Sequence, residues 1–340
     1  MLVVGGQAAV QYSAKRQYSA ERLNLATGVW QATGPLQRPS THHDALLLDD
    51  GRVAIVGGDS PEIALYDPRA NGFGAAAPSP LGPEPQGVGP AFRGIILVTG
   101  EILVVTVAHA ALYNPRLDSW RMTAPKAVRA FGGLVRLHDG RVMALGGMQQ
   151  LAPDYFAASN VVGIYDPASD QWEFGPLLRD ARDGFTATVL RDGRVLVLGG
   201  TTAPGSPGNA EMYDPVQRRW QAVSPMSLGR SGHHAFLLPD GRVLALGGQV
   251  QSSRTPMAVE VYDPGTDRWQ LLANLGGGRE GMTATLLPSG QIVLTGGVEP
   301  GQTDSNQAVD VYTIAVQTAS REGQPTEVKV SYSPEECRGG

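Results

Sequence analysis

Short apolar runs recur along almost the whole chain, and six of them end in a glycine doublet: Gly5-Gly6, Gly57-Gly58, Gly146-Gly147, Gly199-Gly200, Gly247-Gly248 and Gly296-Gly297. Most intervals are about 50 residues, the spacing expected of a repeat architecture, but the step from Gly57 to Gly146 is close to twice that. Gly100-Glu101-Ile102-Leu103-Val104-Val105 fills the gap as a degenerate copy, which makes seven units. After each doublet, apolar and polar positions alternate toward Tyr66-Asp67-Pro68, Tyr165-Asp166-Pro167, Tyr213-Asp214-Pro215 and Tyr262-Asp263-Pro264, with Tyr113-Asn114-Pro115 and Leu23-Asn24-Leu25 as variants. Strict alternation predicts a strand.

Two further landmarks complete the unit. An aromatic stands seven residues after the tyrosine, at Phe73, Trp120, Trp172, Trp220 and Trp269, with Trp30 in the first unit. Upstream of the doublets lie Asp50-Gly51, Asp139-Gly140, Asp192-Gly193, Asp240-Gly241 and Ser289-Gly290. Asp-Gly between apolar runs favours a tight hairpin, because the turn needs positive φ. Proline cannot donate to a ladder and closes the third strand. The aromatic anchors a fourth strand by the large apolar area it buries. Each unit therefore reads as a four-stranded antiparallel meander that cannot cover both of its faces alone.

The pattern Arg-x-x-x-(Thr/His)-Ala-x-Leu-Leu-x-Asp-Gly-Arg-Val-Leu-x-Leu-Gly-Gly … Val-Tyr-Asp-Pro-x-x-x-x-Trp resembles the Kelch repeat, in the form found in bacterial Kelch and galactose-oxidase-like central domains. The resemblance runs from residue 1 to about 318 and implies a β-propeller around a central channel. The expected fold is all-β: one seven-bladed propeller over 1–333 of four-stranded antiparallel blades. The blades lie roughly at 1–33, 38–76, 90–123, 129–175, 182–223, 230–272 and 279–318. A closing strand at 326–332 and a tail at 334–340 follow. That strand completes either the innermost place of the first blade or the outermost place of the last.

Composition narrows the chemistry. The 44 glycines and 25 prolines among 340 residues fall at fixed offsets, so they mark turns. A formal net charge of -5 gives no field to hold nucleic acid phosphates. No apolar stretch is long enough for a transmembrane helix, and the first residues lack the features of a secretory signal. As it stands the chain reads as a cytoplasmic monomer, or as periplasmic or extracellular if a signal has been removed. Cys337 is the single cysteine, so neither an internal disulfide nor a cysteine metal cluster can form.

In an up-down meander the approach to strand one and the loop after the doublet share a face. Those loops are long and dissimilar, which is where binding sits on rigid scaffolds. They carry Lys15, Arg16, Tyr155, Phe156 and Arg254. Eleven residues before the turn glycine stand Arg129, Arg182, Arg230 and Arg279, with Arg38 and Arg93 nearby in units two and three. Placed at the channel mouth, guanidinium groups can take carboxylates or phosphates in bidentate fashion. Kelch adaptors of ubiquitin ligases grip acidic peptides in this way, and the resemblance implies the same capability here. The alternative is structural: the arginines bond neighbouring carbonyls or acids such as Asp183 or Glu280. Asp44, Arg93, Thr186, His234 and Thr283 share one offset near the mouth.

His42-His43 and His233-His234 cannot each chelate one metal, because neighbours in a strand point to opposite faces. Galactose oxidase holds copper with two tyrosines and two histidines, one tyrosine crosslinked to cysteine, and this chain has only its tail cysteine. No metal and no cofactor are expected. The sequence thus favours a module that binds a protein, an acidic peptide or an anionic small molecule through Arg38, Arg93, Arg129, Arg182, Arg230, Arg279, His234, Tyr155 and Arg254. An enzyme acting on a sugar in the same funnel and a scaffold with a rim partner stand as alternatives.

Overall fold

The structure is a computed structural model and describes residues 1–4, 7–10, 13–16, 18–38, 42–58, 60–82, 92–126, 132–152, 155–201, 209–250, 256–277, 281–297, 309–316 and 328–333. All of its regular elements are strands. β1 (Leu2–Val4) is followed by a hairpin of β2 (Gln7–Val10) and β3 (Ser13–Arg16), then by β4 (Ala20–Asn24) and β5 (Val29–Ala32); β1, β4 and β5 form a three-stranded sheet. The second sheet holds β6 (His43–Leu47), β7 (Val53–Gly57), β8 (Ala64–Asp67) and β9 (Gly72–Ala75). The third holds β10 (Arg93–Ile96), β11 (Ile102–Val105), β12 (Ala110–Asn114) and β13 (Ser119–Met122). In the fourth, β14 (Gly133–Arg136) and β15 (Val142–Leu145) precede a separate hairpin, β16 (Met148–Ala152) and β17 (Tyr155–Ala158), and β18 (Val162–Asp166) and β19 (Gln171–Phe174) finish the sheet. The fifth is β20 (Thr186–Val189), β21 (Val195–Leu198), β22 (Ala210–Asp214) and β23 (Arg219–Val223). The sixth is β24 (His234–Leu237), β25 (Val243–Leu246), β26 (Pro256–Asp263) and β27 (Arg268–Gly277). The last is β28 (Thr283–Leu286), β29 (Gln291–Thr295), β30 (Val309–Val316) and β31 (Val328–Ser333).

Among the described residues every strand pairing is antiparallel and follows chain order within its sheet, with the β2–β3 and β16–β17 hairpins set aside, and the first strands of successive four-stranded sheets pack side by side from β6 to β28. The result is a β-propeller of six four-stranded blades. Seven such blades were expected; among the described residues the N-terminal sheet holds three strands, in the order β1-β4-β5. The open question about the closing strand is settled by β31, which pairs with β30 as the outermost strand of the last sheet.

What binds one sheet to the next is first of all apolar. In the middle sheets the second strands β11, β15, β21 and β25 are buried at every position. One cluster joins Val56 and Leu65 to Ile102, Val104 and Tyr113, and another joins Val135 and Leu145 to Val197 and Tyr213. Burying each Val or Leu in this way contributes about 1.5–3 kcal/mol. Glycine ends the second strand because the next sheet comes too close for a side chain. A Cβ on Gly57 would lie 2.4 Å from the Phe92 carbonyl oxygen, and one on Gly199 would lie 2.3 Å from that of Arg230. The third sheet has no doublet. There the buried Lys126 ammonium donates to the carbonyls of Thr106 (2.7 Å) and Val107 (3.2 Å), and it sits 5.7 Å from the Trp172 ring centre.

The aromatic landmark has a second use. Each ring lies 5.0–5.2 Å from the tyrosine of its own sheet. The indole N–H groups reach back to the preceding sheet: Trp120 to Ala77 O (2.8 Å), Trp172 to Thr123 Oγ1 (3.2 Å), Trp220 to Pro176 O (2.9 Å) and Trp269 to Ser224 O (2.7 Å). Five residues after each tyrosine the backbone turns left-handed, at Asn71, Asp118, Asp170, Arg218 and Asp267. Asx side chains tolerate this conformation best. They also receive the tyrosine hydroxyl, as Asp118 (2.7 Å), Asp170 (2.6 Å) and Asp267 (2.8 Å) do. Arg218, at φ 50°, departs from the pattern. Arg218→Asp is expected to stabilise the protein by about 0.5–1.5 kcal/mol by restoring the hydroxyl bond, measured as a higher midpoint in urea. An unchanged or lower midpoint would show that this hydroxyl bond adds nothing.

Candidate functional site

In each unit, the loop between strands two and three opens on the side where strand one begins. Hairpins β2–β3 and β16–β17 and the long end of the β26–β27 pair therefore rise from that side. In the middle of the same side, the inner strands start at His43, Arg93, Gly133, Thr186, His234 and Thr283, with Asp44 second in its strand. Asp44 and Arg93 bridge the second and third sheets. Asp44 Oδ1 is 3.3 Å from Arg93 Nη1, and its Oδ2 accepts the Gly94 N–H at 3.0 Å. Arg93 is part-exposed, and its Nε has no hydrogen-bond partner. Asp183 is the third charged group of the mouth. Burial raises its carboxyl pKa, while the Gly184 N–H and the Arg93 charge pull it back.

The two histidines at the mouth face different partners. His233 Nε2 meets Thr186 Oγ1 at 2.8 Å, and His234 Nε2 meets the Met282 carbonyl oxygen at 3.0 Å. Burial pushes the His233 pKa down to about 3, helped by Arg230 and His234, and burial also lowers that of His234. Just before the inner strands, Gly184, Gly232 and Gly281 are left-handed at φ 63–69°, and in the second sheet this place is taken by the exposed His42 at φ 56°.

Arg182 and Arg230 do not open onto the mouth. Arg182 is completely buried. Its Nη1 donates to Gly199 O (2.8 Å) and Asn209 O (2.9 Å), and its Nη2 meets Glu211 Oε1 at 2.7 Å and Asp180 Oδ2 at 3.5 Å. The backbone of Arg182 meanwhile pairs with Ser159 and Gly147 of the preceding sheet. Arg230 repeats the design one sheet on, buried, with Nη2 3.0 Å from Glu260 Oε2 and its carbonyl accepting the Gly200 N–H. Glu211 also accepts the Arg179 N–H (2.8 Å), and Glu260 accepts both the N–H (3.2 Å) and the hydroxyl of Ser227. Assigning Arg182 and Arg230 to a ligand is therefore corrected: their charge is already matched inside the protein. The acids that hold them most closely are Glu211 and Glu260, in the third strand, rather than Asp183 or Glu280.

Those glutamates were missed, although the sequence held a signal. They stand two residues before the tyrosine of Tyr-Asp-Pro, opposite Val197 and Ala245, where the second and third sheets carry Ala64 and Ala111. An acid in a core strand needs a buried cation. Of the other expected site residues, Arg38 is exposed ahead of β6, and the Tyr155 backbone pairs with Ala152 in the β16–β17 hairpin. Phe156 of that hairpin packs with Met148 onto the core rather than facing outward. Arg129, Arg254 and Arg279 lie outside the described residues, as do the side chains of Lys15, Arg16 and Tyr155.

A family model described as Kelch motif matches residues 184–227. Kelch-like protein terF of Aspergillus terreus is 33% identical over 89 residues, which is 26% of this chain and 19% of that protein. Kelch repeat and BTB domain-containing protein 12 of Danio rerio is 24% identical over 207 residues, 58% of this chain and 28% of the relative. The chain thus spans less than a third of the curated relatives it matches. Among solved structures, a novel fungal alcohol oxidase of the AA5 family in complex with copper superposes with a TM-score of 0.67 at 16% identity, covering 89% of this chain and 69% of that one. This is a likeness of fold. Among the described residues no three His, Cys, Asp or Glu side chains come together as metal ligands, and both mouth histidines point Nε2 at protein oxygens. The donor set does not fit copper there.

Two outcomes follow. Arg182→Met leaves Glu211 buried without its cation and should lower stability by about 3–5 kcal/mol in urea denaturation, with the double variant Arg182→Met, Glu211→Leu recovering most of the loss. Equal losses in single and double variants would show that the pair is not coupled. His233 is neutral in the fold, so between pH about 6.5 and about 3 the unfolded chain binds a proton that the folded chain does not. Stability should fall as the pH drops from 7 to 5, approaching ~1.4 kcal/mol per pH unit for this group, and His233→Gln should flatten the slope. An identical slope in the variant would remove His233 as its cause.

Proposed function

We propose that this Kelch-repeat β-propeller is a binding module, which recognises a polypeptide segment on the side where its inner strands begin. The observation that carries the reading is that the chain order sends the β2–β3, β16–β17 and β26–β27 extensions to the side that presents Asp44, Arg93 and Asp183. With Arg182 and Arg230 buried in internal ion pairs, Arg93 is the part-exposed guanidinium at the start of an inner strand. It is held by Asp44 through one nitrogen, so an incoming carboxylate or backbone carbonyl meets a cation already fixed in direction. The preference for an acidic partner then rests on Arg93 rather than on a ring of arginines, and the neighbouring Asp44 and Asp183 favour a segment with both donors and acceptors. Low exposure at His234 and Thr186, both engaged in hydrogen bonds, leaves them as walls of the mouth.

The same reading takes the three-stranded N-terminal sheet as a seventh blade, so that residues 1–333 form one ring. It sits against the second sheet as a blade would: Gly34 N–H donates to Asn71 O (3.1 Å), Asn71 Nδ2 to Ala32 O (3.1 Å) and Arg22 Nη1 to Pro68 O (3.3 Å).

Selection from a displayed random-peptide library on the whole chain should enrich one family of sequences bearing Asp or Glu. Arg93→Ala should weaken the enriched peptides at least tenfold with little change in the melting temperature. Peptides that bind the Arg93→Ala protein equally well would remove the mouth from the reading.

A further inference from the structure

On the side away from the mouth, one charge relation recurs from sheet to sheet. The residue after each turn glycine leads into the second strand, and it is Arg52, Glu101, Arg141, Arg194 and Arg242 in the second to sixth sheets. The residue after each aromatic landmark lies on the fourth strand, paired with the third, and it is Gly74, Arg121, Glu173, Gln221 and Gln270. In the fourth sheet these two positions meet: Arg141 Nη1 is 3.5 Å from Glu173 Oε1, and Arg218 of the fifth sheet closes on the same oxygen at 3.0 Å. In the third sheet the signs are exchanged, with Arg121 Nε 3.9 Å from Glu101 Oε1. The fifth and sixth sheets keep the arginine and carry a glutamine on the fourth strand. The second sheet keeps the arginine, but the facing position, Gly74, has no side chain.

Arg52 is nonetheless held as Arg141 is. Its Nε and Nη2 lie 2.9 and 2.8 Å from Asp50 Oδ2, and Nη2 also donates to Pro115 O of the third sheet at 2.8 Å. That leaves Nη1, the nitrogen that in Arg141 meets Glu173. The space beside it is open as well: a Cβ on Gly74 would have nothing within 4 Å. A cleft of about 540 Å³ lies there between the second and third sheets, lined by Arg52, Leu65, Asp67, Gly74, Pro115 and Arg116 among others. Arg116 belongs to the same turn of its sheet as Arg218 does of the fifth; its side chain is 75% exposed and 3.8 Å from Asp49. We propose that this cleft binds a glutamate side chain of a partner polypeptide, whose carboxylate takes beside Arg52 the place that Glu173 holds beside Arg141. Planar, charge-assisted pairing is what an arginine fork fixed in direction offers to a carboxylate. The rim selects a peptide over a free anion. Asp67 and Asp118 repel a bare anion, but they accept backbone N–H groups, as they already do from Arg69 and Ala77 at 2.8 Å, and a polypeptide brings such donors with its glutamate. Leu65, Ala75 and Pro115 give the methylene stem an apolar wall.

The site is independent of the mouth, and its test has two arms. Gly74 is exposed and its φ is not left-handed, so Gly74→Glu and Gly74→Gln should both fold. The glutamate variant supplies the carboxylate from within and should melt higher than the glutamine variant at low salt, a difference that Arg52→Gln removes. Equal melting temperatures would show that Arg52 draws no carboxylate there and would overturn the proposal. For the partner, a displayed random-peptide library is selected on the whole chain after depletion on the Gly74→Gln protein, in which the cleft is filled without charge. The surviving peptides should carry a glutamate, lose affinity by about tenfold or more when it is changed to glutamine, and bind the Arg93→Ala protein as well as the parent. Failure to recover any peptide that distinguishes the two proteins, peptides without a glutamate, or peptides that Arg93→Ala weakens equally would each sink the assignment.

Discussion

The fold depends on close contact between neighbouring sheets, because a second strand made of Val, Leu, Ile, Ala and Met must be covered on both faces and its own sheet cannot do this. Apolar side chains provide the attraction, but they do not determine how near the sheets come. That distance is set where the second strand ends. Gly57 and Gly199 admit a neighbouring carbonyl to a point no side chain would allow, and the buried Arg182 and Arg230 cross the same seam, gripping one sheet with the guanidinium and the previous one with the backbone. In the sheet that lacks the doublet, the Lys126 ammonium holds the Thr106 and Val107 carbonyls and lies 5.7 Å from the Trp172 ring centre of the next sheet.

A buried ion pair is a poor source of net stability, since desolvation offsets much of the attraction. Its value here is positional. The Glu211 carboxylate also holds the Arg179 N–H, so one acid fixes the segment leading into β20 as well as the arginine at its head. The mouth residues downstream, Asp183 and Thr186, inherit that placement. Mouth and seam are thus two ends of the same short stretch of chain.

Much of this could be read from spacing. Tyr-Asp-Pro, Asp-Gly and the tryptophans mark strands and turns because each has a backbone requirement that its residue type meets, and the structure puts each where expected. The direction of a long side chain carries no such mark. Arg182 stands just ahead of an inner strand, but its side chain runs inward, toward an acid 29 residues later that only the chain's return brings near. Trp172 was legible as an anchor, while its reach to Thr123 in the sheet before it was not. The partner of β31 could not be chosen either, since its alternating pattern suits either end of the ring.

The indole bonds all point one way: Trp120, Trp172, Trp220 and Trp269 each donate to the sheet before their own. The assembly consequently has a grain. A pull on the C-terminal side takes the donors away first and leaves orphaned acceptors behind, whereas a pull on the N-terminal side strips acceptors from indoles still packed on their tyrosines. Carbonyl oxygens exposed to water are readily hydrated and buried indole N–H groups are not, so peeling from the two ends should meet unequal mechanical resistance.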